Sequence, residues 1–252
     1  MTESKPSRVH LLDELRGFII IFVVVYHLLF DLTVLFPAGM DDWMFDPWMN
    51  NLRDGFVAVL VLISGISCLY SRSNLRRGFK TFAFGMVFTV VTYLFMPSEL
   101  ILFGILHFFG CCMMLYALLE KPISQVPVWL GAGVCILLFF LTKDIYYGKI
   151  GLFGYTVNMP AFFYGKPLLF PLGFASAGIT SSDYYPMMPW ACMFFAGVFW
   201  GRIIRKGKVP VWFYSSHLPW LAKIGRHTLL IYLVHQPILY SILYLWFMIL
   251  SR

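Results

Sequence analysis

Arg16, His27 and Asp31 are eleven and four residues apart in RGFIIIFVVVYHLLFD, an otherwise apolar run. At about 100° and ~1.5 Å per residue, eleven residues of helix make three turns plus about 20° and rise about 16 Å. Arg16 and His27 therefore share a face, and Asp31 follows one turn further along it. Such a set can move a proton: a neutral imidazole accepts it while a carboxylate orients the ring and steadies the imidazolium. A plainer account remains open, in which Arg16 snorkels to an interface, His27 makes a packing hydrogen bond and Asp31 caps against Arg53.

Two further histidines lie in apolar runs, His107 in LFGILHFFGCCMMLY and His235 in IYLVHQPILY. If each run is a membrane helix, His107 stands about seven residues from one end, and His235 nine residues beyond Arg226. At ~1.5 Å per residue both reach nearly the depth of His27. Either alone could be a structural hydrogen bond. Gln236 adds a polar group in hydrocarbon, and Pro237 frees the carbonyl of Leu233. Ionisable groups at mid-membrane are costly, and three converging on one depth read as an embedded active site. The expected catalytic set is His27, Asp31, His107, His235 and Gln236, with His107 or Gln236 as donor to an oxyanion.

These residues must be positioned by membrane helices, because 60% of the chain is hydrophobic, 19% aromatic and only 12% charged. Mean hydropathy is +0.78, far from soluble norms. Runs of about 17 to 25 apolar residues are needed to cross ~30 Å of hydrocarbon. Seven are present, at 17–36, 54–71, 79–96, 100–119, 126–142, 186–204 and 227–250. The expected fold is an all-α polytopic transmembrane bundle forming one domain over 1–252. Fourteen of the nineteen Lys and Arg residues then fall on the N-terminal side. That side is cytoplasmic by the positive-inside rule, which puts the end of the seventh run outside. The N-terminal stretch lacks a signal-peptide core, so the first run should be retained.

The net charge of +7 does not point to nucleic acid, since the basic residues sit in short segments between apolar runs. Arg72 and Arg76 in RSNLRRGFK, with RIIRKGK later, could meet an anionic nucleotide cofactor or serve only as topology signals. Arg226 in KIGRHTLL is a better anion ligand and should point to another helix. The five cysteines lie in apolar runs without metal-ligand spacing, so neither disulfides nor a metal site is expected. The external segment 143–185 should form a re-entrant or interfacial cap, with 160–175 as a short extra hairpin. VPVWFYSSHLPWL reads as an amphipathic interfacial stretch anchored by Trp212 and Trp220.

Two other functions compete. A haem held by His27 and His235 would give Arg16 and Asp31 no part. A proton-coupled transporter would use the His and Asp residues as a relay, but neither similar halves nor paired broken helices are present.

The stretches LLDELRGFIIIFVVVYHLLFDL, LRDGFVAVLVLISGIS, FGILHFFGCCMMLY and IGRHTLLIYLVHQPILY together resemble, in order, the bacterial membrane family named for the heparan-alpha-glucosaminide N-acetyltransferase catalytic domain. The first and last are also similar to acyltransferase family 3, whose Arg, ten residues, His motif is matched by Arg16 and His27. The resemblance implies transfer of an acyl group, usually acetyl, from cytoplasmic acyl-CoA to an extracytoplasmic sugar or glycan, in a bacterial inner membrane. It implies acetyl-CoA as donor, with His27 as the catalytic base and Arg16 on the donor side, and it matches His107 and the His235-Gln236-Pro237 run at signature positions. Arg226, Arg72 and Arg76, read from the basic segments, complete the expected donor-binding set. The external loop PAGMDDWMFDPWMNNLR holds no histidine, which leaves His27 to supply the base within the membrane. Expected partners are acyl-CoA, the glycan, membrane lipid and a second copy of the chain.

Overall fold

The computed structural model describes residues 8–36, 42–176 and 178–247. Seven helical segments among them are long and apolar enough to cross a membrane, and the chain is a multi-pass membrane protein. In order they are α1 (His10–Phe30), α2 (Pro47–Cys68), α3 (Asn74–Phe95), α4 (Ile105–Gln125) and α5 (Val128–Thr142). A hairpin of β1 (Lys149–Leu152) and β2 (Tyr155–Asn158) follows, then α6 (Met187–Arg205), the short α7 (Pro219–Arg226) and α8 (Thr228–Leu245). The expected all-α bundle is what the chain forms.

Several boundaries differ from expectation: α1 begins at His10 rather than 17 and α3 at Asn74 rather than 79, and three further differences follow. The second helix begins at Pro47 rather than 54, because PWMNNLR is polar yet helical, so hydropathy misses its first two turns. The fourth begins at Ile105 rather than 100, because Leu100–Phe103 is apolar without being helical. His107 consequently stands in the first turn of α4, not deep within it. The hairpin of this segment spans 149–158 rather than 160–175, where 3₁₀ turns occur instead. Its two-residue turn has positive φ at Phe153 (51°) and Gly154 (87°), the backbone that matches the twist of paired strands. Residues 37–41 of the loop between the first two helices, Lys5, and the end of the seventh run beyond 247 lie outside the described residues.

The chain packs as two compact units, one from Met1–Leu60 with Val209–Arg252, the other from Val61–Lys208. In the second, small residues let helices approach closely, as membrane helices require in the absence of a hydrophobic drive between them. A Cβ on Gly197 would strike the Leu62 carbonyl, and one on Gly65 the Phe194 carbonyl. Helix ends are closed by side chains from elsewhere in this unit. Ser73 Oγ accepts from the Arg76 N–H at the start of α3 (3.2 Å). Asp183 accepts from the Ile105 N–H at the start of α4 (3.0 Å). Arg202 donates to the carbonyls of Ile123 (3.1 Å), Ser124 (2.9 Å) and Val126 (2.8 Å) where α4 ends. The Arg202 guanidinium is thus spent on a helix terminus.

In the first unit α1 crosses α7 and runs beside α8. Beyond Phe30, α1 continues as one wider π turn, Asp31–Leu35, closed by the Phe36 N–H on the Asp31 carbonyl (2.7 Å). Such turns interrupt regular helix and recur where a side chain is put to use. Trp212 and Trp220 of the expected interfacial stretch are exposed, at 51% and 58%, and the helix there is α7, which begins only at Pro219.

Candidate active site

The DELRG segment of α1 fixes one end of the first unit. Asp13, with its side chain buried, pairs with Arg16 one turn on (2.9 Å), with Arg8 (2.8 Å) and with Arg226 at the end of α7 (3.9 Å). Arg226 does reach another helix. Glu14, also buried, accepts at Oε1 from the N–H groups of His217 (2.7 Å) and Leu218 (2.9 Å) and from the Ser216 hydroxyl (3.2 Å). Its other oxygen lies 3.5 Å from His217 Nδ1. This carboxylate satisfies donors that the start of α7 leaves open. Gly17 completes the crossing, since a Cβ there would run into the Leu221 carbonyl, and one on Gly225 into the Asp13 carbonyl. Three guanidiniums around one carboxylate leave an excess of positive charge, suited to phosphate.

Three turns along α1, a second cluster forms. The His27 and His235 rings lie 4.9 Å apart between centroids, inclined at 59°. His235 is 7% exposed, and its Nδ1 lies 2.7 Å from the Tyr232 carbonyl oxygen. Its Nε2 is buried and has no hydrogen-bond partner among the described residues. Asp31, fully buried at the start of the π turn, accepts at Oδ1 from Gln236 Nε2 (2.7 Å). The Gln236 Oε1 is buried with its acceptor capacity unused among the described residues. Four of the five expected catalytic residues, His27, Asp31, His235 and Gln236, therefore meet in one unit, as do Arg16 and Arg226.

His107 belongs to the other unit, where both ring nitrogens are engaged. Nδ1 accepts from the Gly104 N–H at the helix start (3.2 Å), which leaves Nε2 to carry the proton toward Thr89 Oγ1 (3.3 Å). Thr89 in turn donates to the Ile101 carbonyl (2.6 Å). Phe82 meets the ring edge-on and Gly85 leaves room for it. The geometry is that of a capping residue. Arg72 and Arg76, also in this unit, are exposed at the start of α3.

Sequence reasoning missed Asp13, Glu14, Gly17 and His217. A signal was present: two acids inside a segment that is otherwise basic are out of character for a topology signal, and a glycine follows them at helical spacing.

These features define a multi-pass membrane protein with an imidazole pair, one ring buried and one half-buried, and a cationic cluster at the other end of the same helix. The chain matches the family described as heparan-alpha-glucosaminide N-acetyltransferase, catalytic, over residues 8–237, and belongs to it. Membership assigns an acetyltransferase-type activity and lends nothing to transport. The similarity to acyltransferase family 3 is not supported by that match and rests on the Arg16 and His27 spacing alone. Comparison with curated proteins and with solved structures gives no match.

Proposed function

We propose that this protein transfers an acyl group, in the first instance acetyl, from cytoplasmic acyl-CoA to a sugar or glycan on the far side of a bacterial inner membrane. The observation that carries the proposal is the contact of the half-buried His27 ring with buried His235, next in sequence to the Asp31–Gln236 bond, in a chain of an acetyltransferase family. The charge distribution supports a cytoplasmic N-terminus, which puts the Arg8, Arg16 and Arg226 cluster on the side where acyl-CoA is found. Phosphates of the donor would meet those guanidiniums, and the thioester would extend toward the imidazoles. The acceptor amine or hydroxyl would enter from the opposite face.

Acyl transfer needs a group that removes a proton as the acceptor attacks, and donors that hold the oxyanion. Buried imidazole meets the first need. Purified protein in lipid should bind acetyl-CoA by calorimetry and release free thiol slowly even with water as acceptor. Absence of both binding and thiol release across several lipids would overturn the reading. Mass spectrometry of envelope glycans from a deletion strain would then identify the acceptor by its missing acetyl groups.

A further inference from the structure

Resting on the acyl-transfer reading, we infer that the proton-accepting atom is Nε2 of His235, with Gln236 Oε1 as a second acceptor for the donating group, Asp31 as the residue that fixes the Gln236 amide, and His27 as a packing neighbour of the ring. A backbone carbonyl cannot donate, so the 2.7 Å contact between His235 Nδ1 and the Tyr232 oxygen requires the proton on Nδ1. Neutral His235 is therefore the tautomer with a bare lone pair on Nε2. That atom is buried and has no partner among the described residues, in an imidazole 7% exposed. The same logic fixes Gln236. The Asp31 carboxylate only accepts, so the amide nitrogen faces it at 2.7 Å and Oε1 must point the other way. Oε1 too is buried and open among the described residues.

Buried acceptors without donors are costly, so two on consecutive residues call for a ligand that donates. An acceptor amine or hydroxyl is such a ligand. No obligate acceptor among the described residues fixes the proton on His27, whose ring touches Tyr26 and His235. Among the described residues, the titratable groups in contact with His235 are His27 and, on its own helix, Tyr232, while Asp31 is bonded to the adjacent Gln236.

The step balances as follows. The nucleophilic nitrogen or oxygen forms a bond to the thioester carbonyl carbon, the π pair moves to oxygen, and the proton of the nucleophile passes to Nε2. On collapse the oxygen pair re-forms the carbonyl, the carbon–sulfur bond breaks, and the thiolate takes the proton back from Nε2 as free thiol. His235 ends neutral.

The test compares His235→Gln and His27→Gln in lipid, with acetyl-CoA as donor, glucosamine and water as acceptors, and thiol release as readout. His235→Gln should lower kcat by about 10²–10⁴-fold, the usual worth of a general base. Its acetyl-CoA affinity should be unchanged, and the rise of kcat with pH should vanish. His27→Gln should keep that rise. A His235→Gln enzyme within about threefold of wild type, or loss of the rise in His27→Gln alone, would overturn the assignment. Nitrogen chemical shifts of labelled histidine, assigned by the same variants, decide the matter independently of turnover. Nε2 of His235 should be unprotonated at neutral pH; a protonated Nε2 overturns the assignment even in an active enzyme. Wild type that neither binds acetyl-CoA nor releases thiol would instead sink the acyl-transfer reading, with the shifts still reporting the tautomer.

Discussion

His107 and His235 are nearly equal in burial, at 2% and 7% exposure, yet they are held in opposite ways. In the second unit His107 is surrounded by partners that use both nitrogens: the Gly104 N–H on one side, Thr89 on the other. In the first unit His235 is held by one nitrogen, and the other is left bare beside an amide oxygen that is also open among the described residues. Burial alone does not mark a functional histidine. What marks it is a fixed tautomer whose remaining nitrogen has been desolvated without compensation.

The sharpest way to break this comparison is to remove each ring in turn. His235→Ala should reduce acetyl transfer by about 10²–10⁴-fold while leaving acetyl-CoA binding intact. His107→Ala should do the reverse. It leaves the Gly104 N–H buried without an acceptor, which costs about 1–3 kcal/mol and lowers the thermal midpoint in detergent, while turnover per folded molecule stays near wild type. Equal losses of kcat in the two variants, with unchanged midpoints, would show that His107 is chemical after all.

Close packing around each histidine unit offers a second contrast. Gly17→Ala drives a Cβ into the Leu221 carbonyl of α7, a backbone obstacle, whereas Gly85→Ala meets the His107 ring at 2.9 Å, an obstacle that can tilt. Overpacking typically costs about 1–3 kcal/mol, and Gly17→Ala should lie at the upper end of that range, Gly85→Ala at the lower. Denaturation in mixed micelles would rank them. A Gly17→Ala protein as stable as wild type would mean that the α1–α7 crossing slides freely.

The seven apolar runs were legible because hydropathy reports desolvation directly, and all seven became helices. It failed where helix and apolar surface part company, at the polar start of α2 and at the apolar but irregular Leu100–Phe103. Helical spacing placed Arg16, His27 and Asp31 on one stripe, and Gln236 beside His235, since both are local relations. Pairings across about two hundred residues could not be read this way. Nothing in the spacing says that Asp31 meets Gln236, that Asp13 meets Arg226, or that Glu14 holds the backbone of His217 and Leu218. His107 looked equivalent to His235 for the same reason, because Thr89 lies on another helix.

The Asp31–Gln236 bond sets up a subtler test. Asp31→Asn keeps the shape but lets the facing amides pair in either orientation, so Gln236 Oε1 is no longer aimed. The loss is about one hydrogen bond to a charged group, roughly tenfold in kcat with acetyl-CoA affinity unchanged. Gln236→Glu should be worse than Asp31→Asn, because it sets two carboxylates against each other in a buried place. The double variant Asp31→Asn with Gln236→Glu restores one donor and one acceptor across the pair and should recover part of the loss. No recovery would argue that the pair acts separately, and that Gln236 is not positioned through Asp31.

The smallest effects belong to the cationic end, where they grade with exposure. The Arg8 side chain is 55% exposed, Arg226 42% and Arg16 22%, all on one buried Asp13 carboxylate. Exposed ion pairs contribute about 0–1 kcal/mol and are screened by salt, so Arg8→Ala should change acetyl-CoA affinity least. Arg16→Ala should weaken it most, because its guanidinium is the least hydrated and a phosphate recovers more from a partly desolvated partner. Arg226→Ala should fall between them. All three should leave kcat at saturating donor nearly unchanged, since in the proposed complex these groups would meet the part of the donor that does not react. Calorimetry at two salt concentrations checks the order: the affinity gap between wild type and Arg16→Ala should persist at high salt, while the gap for Arg8→Ala closes. An affinity that is indifferent to all three substitutions would leave the cluster as the lock of α1 on α7, and would move the donor phosphates elsewhere.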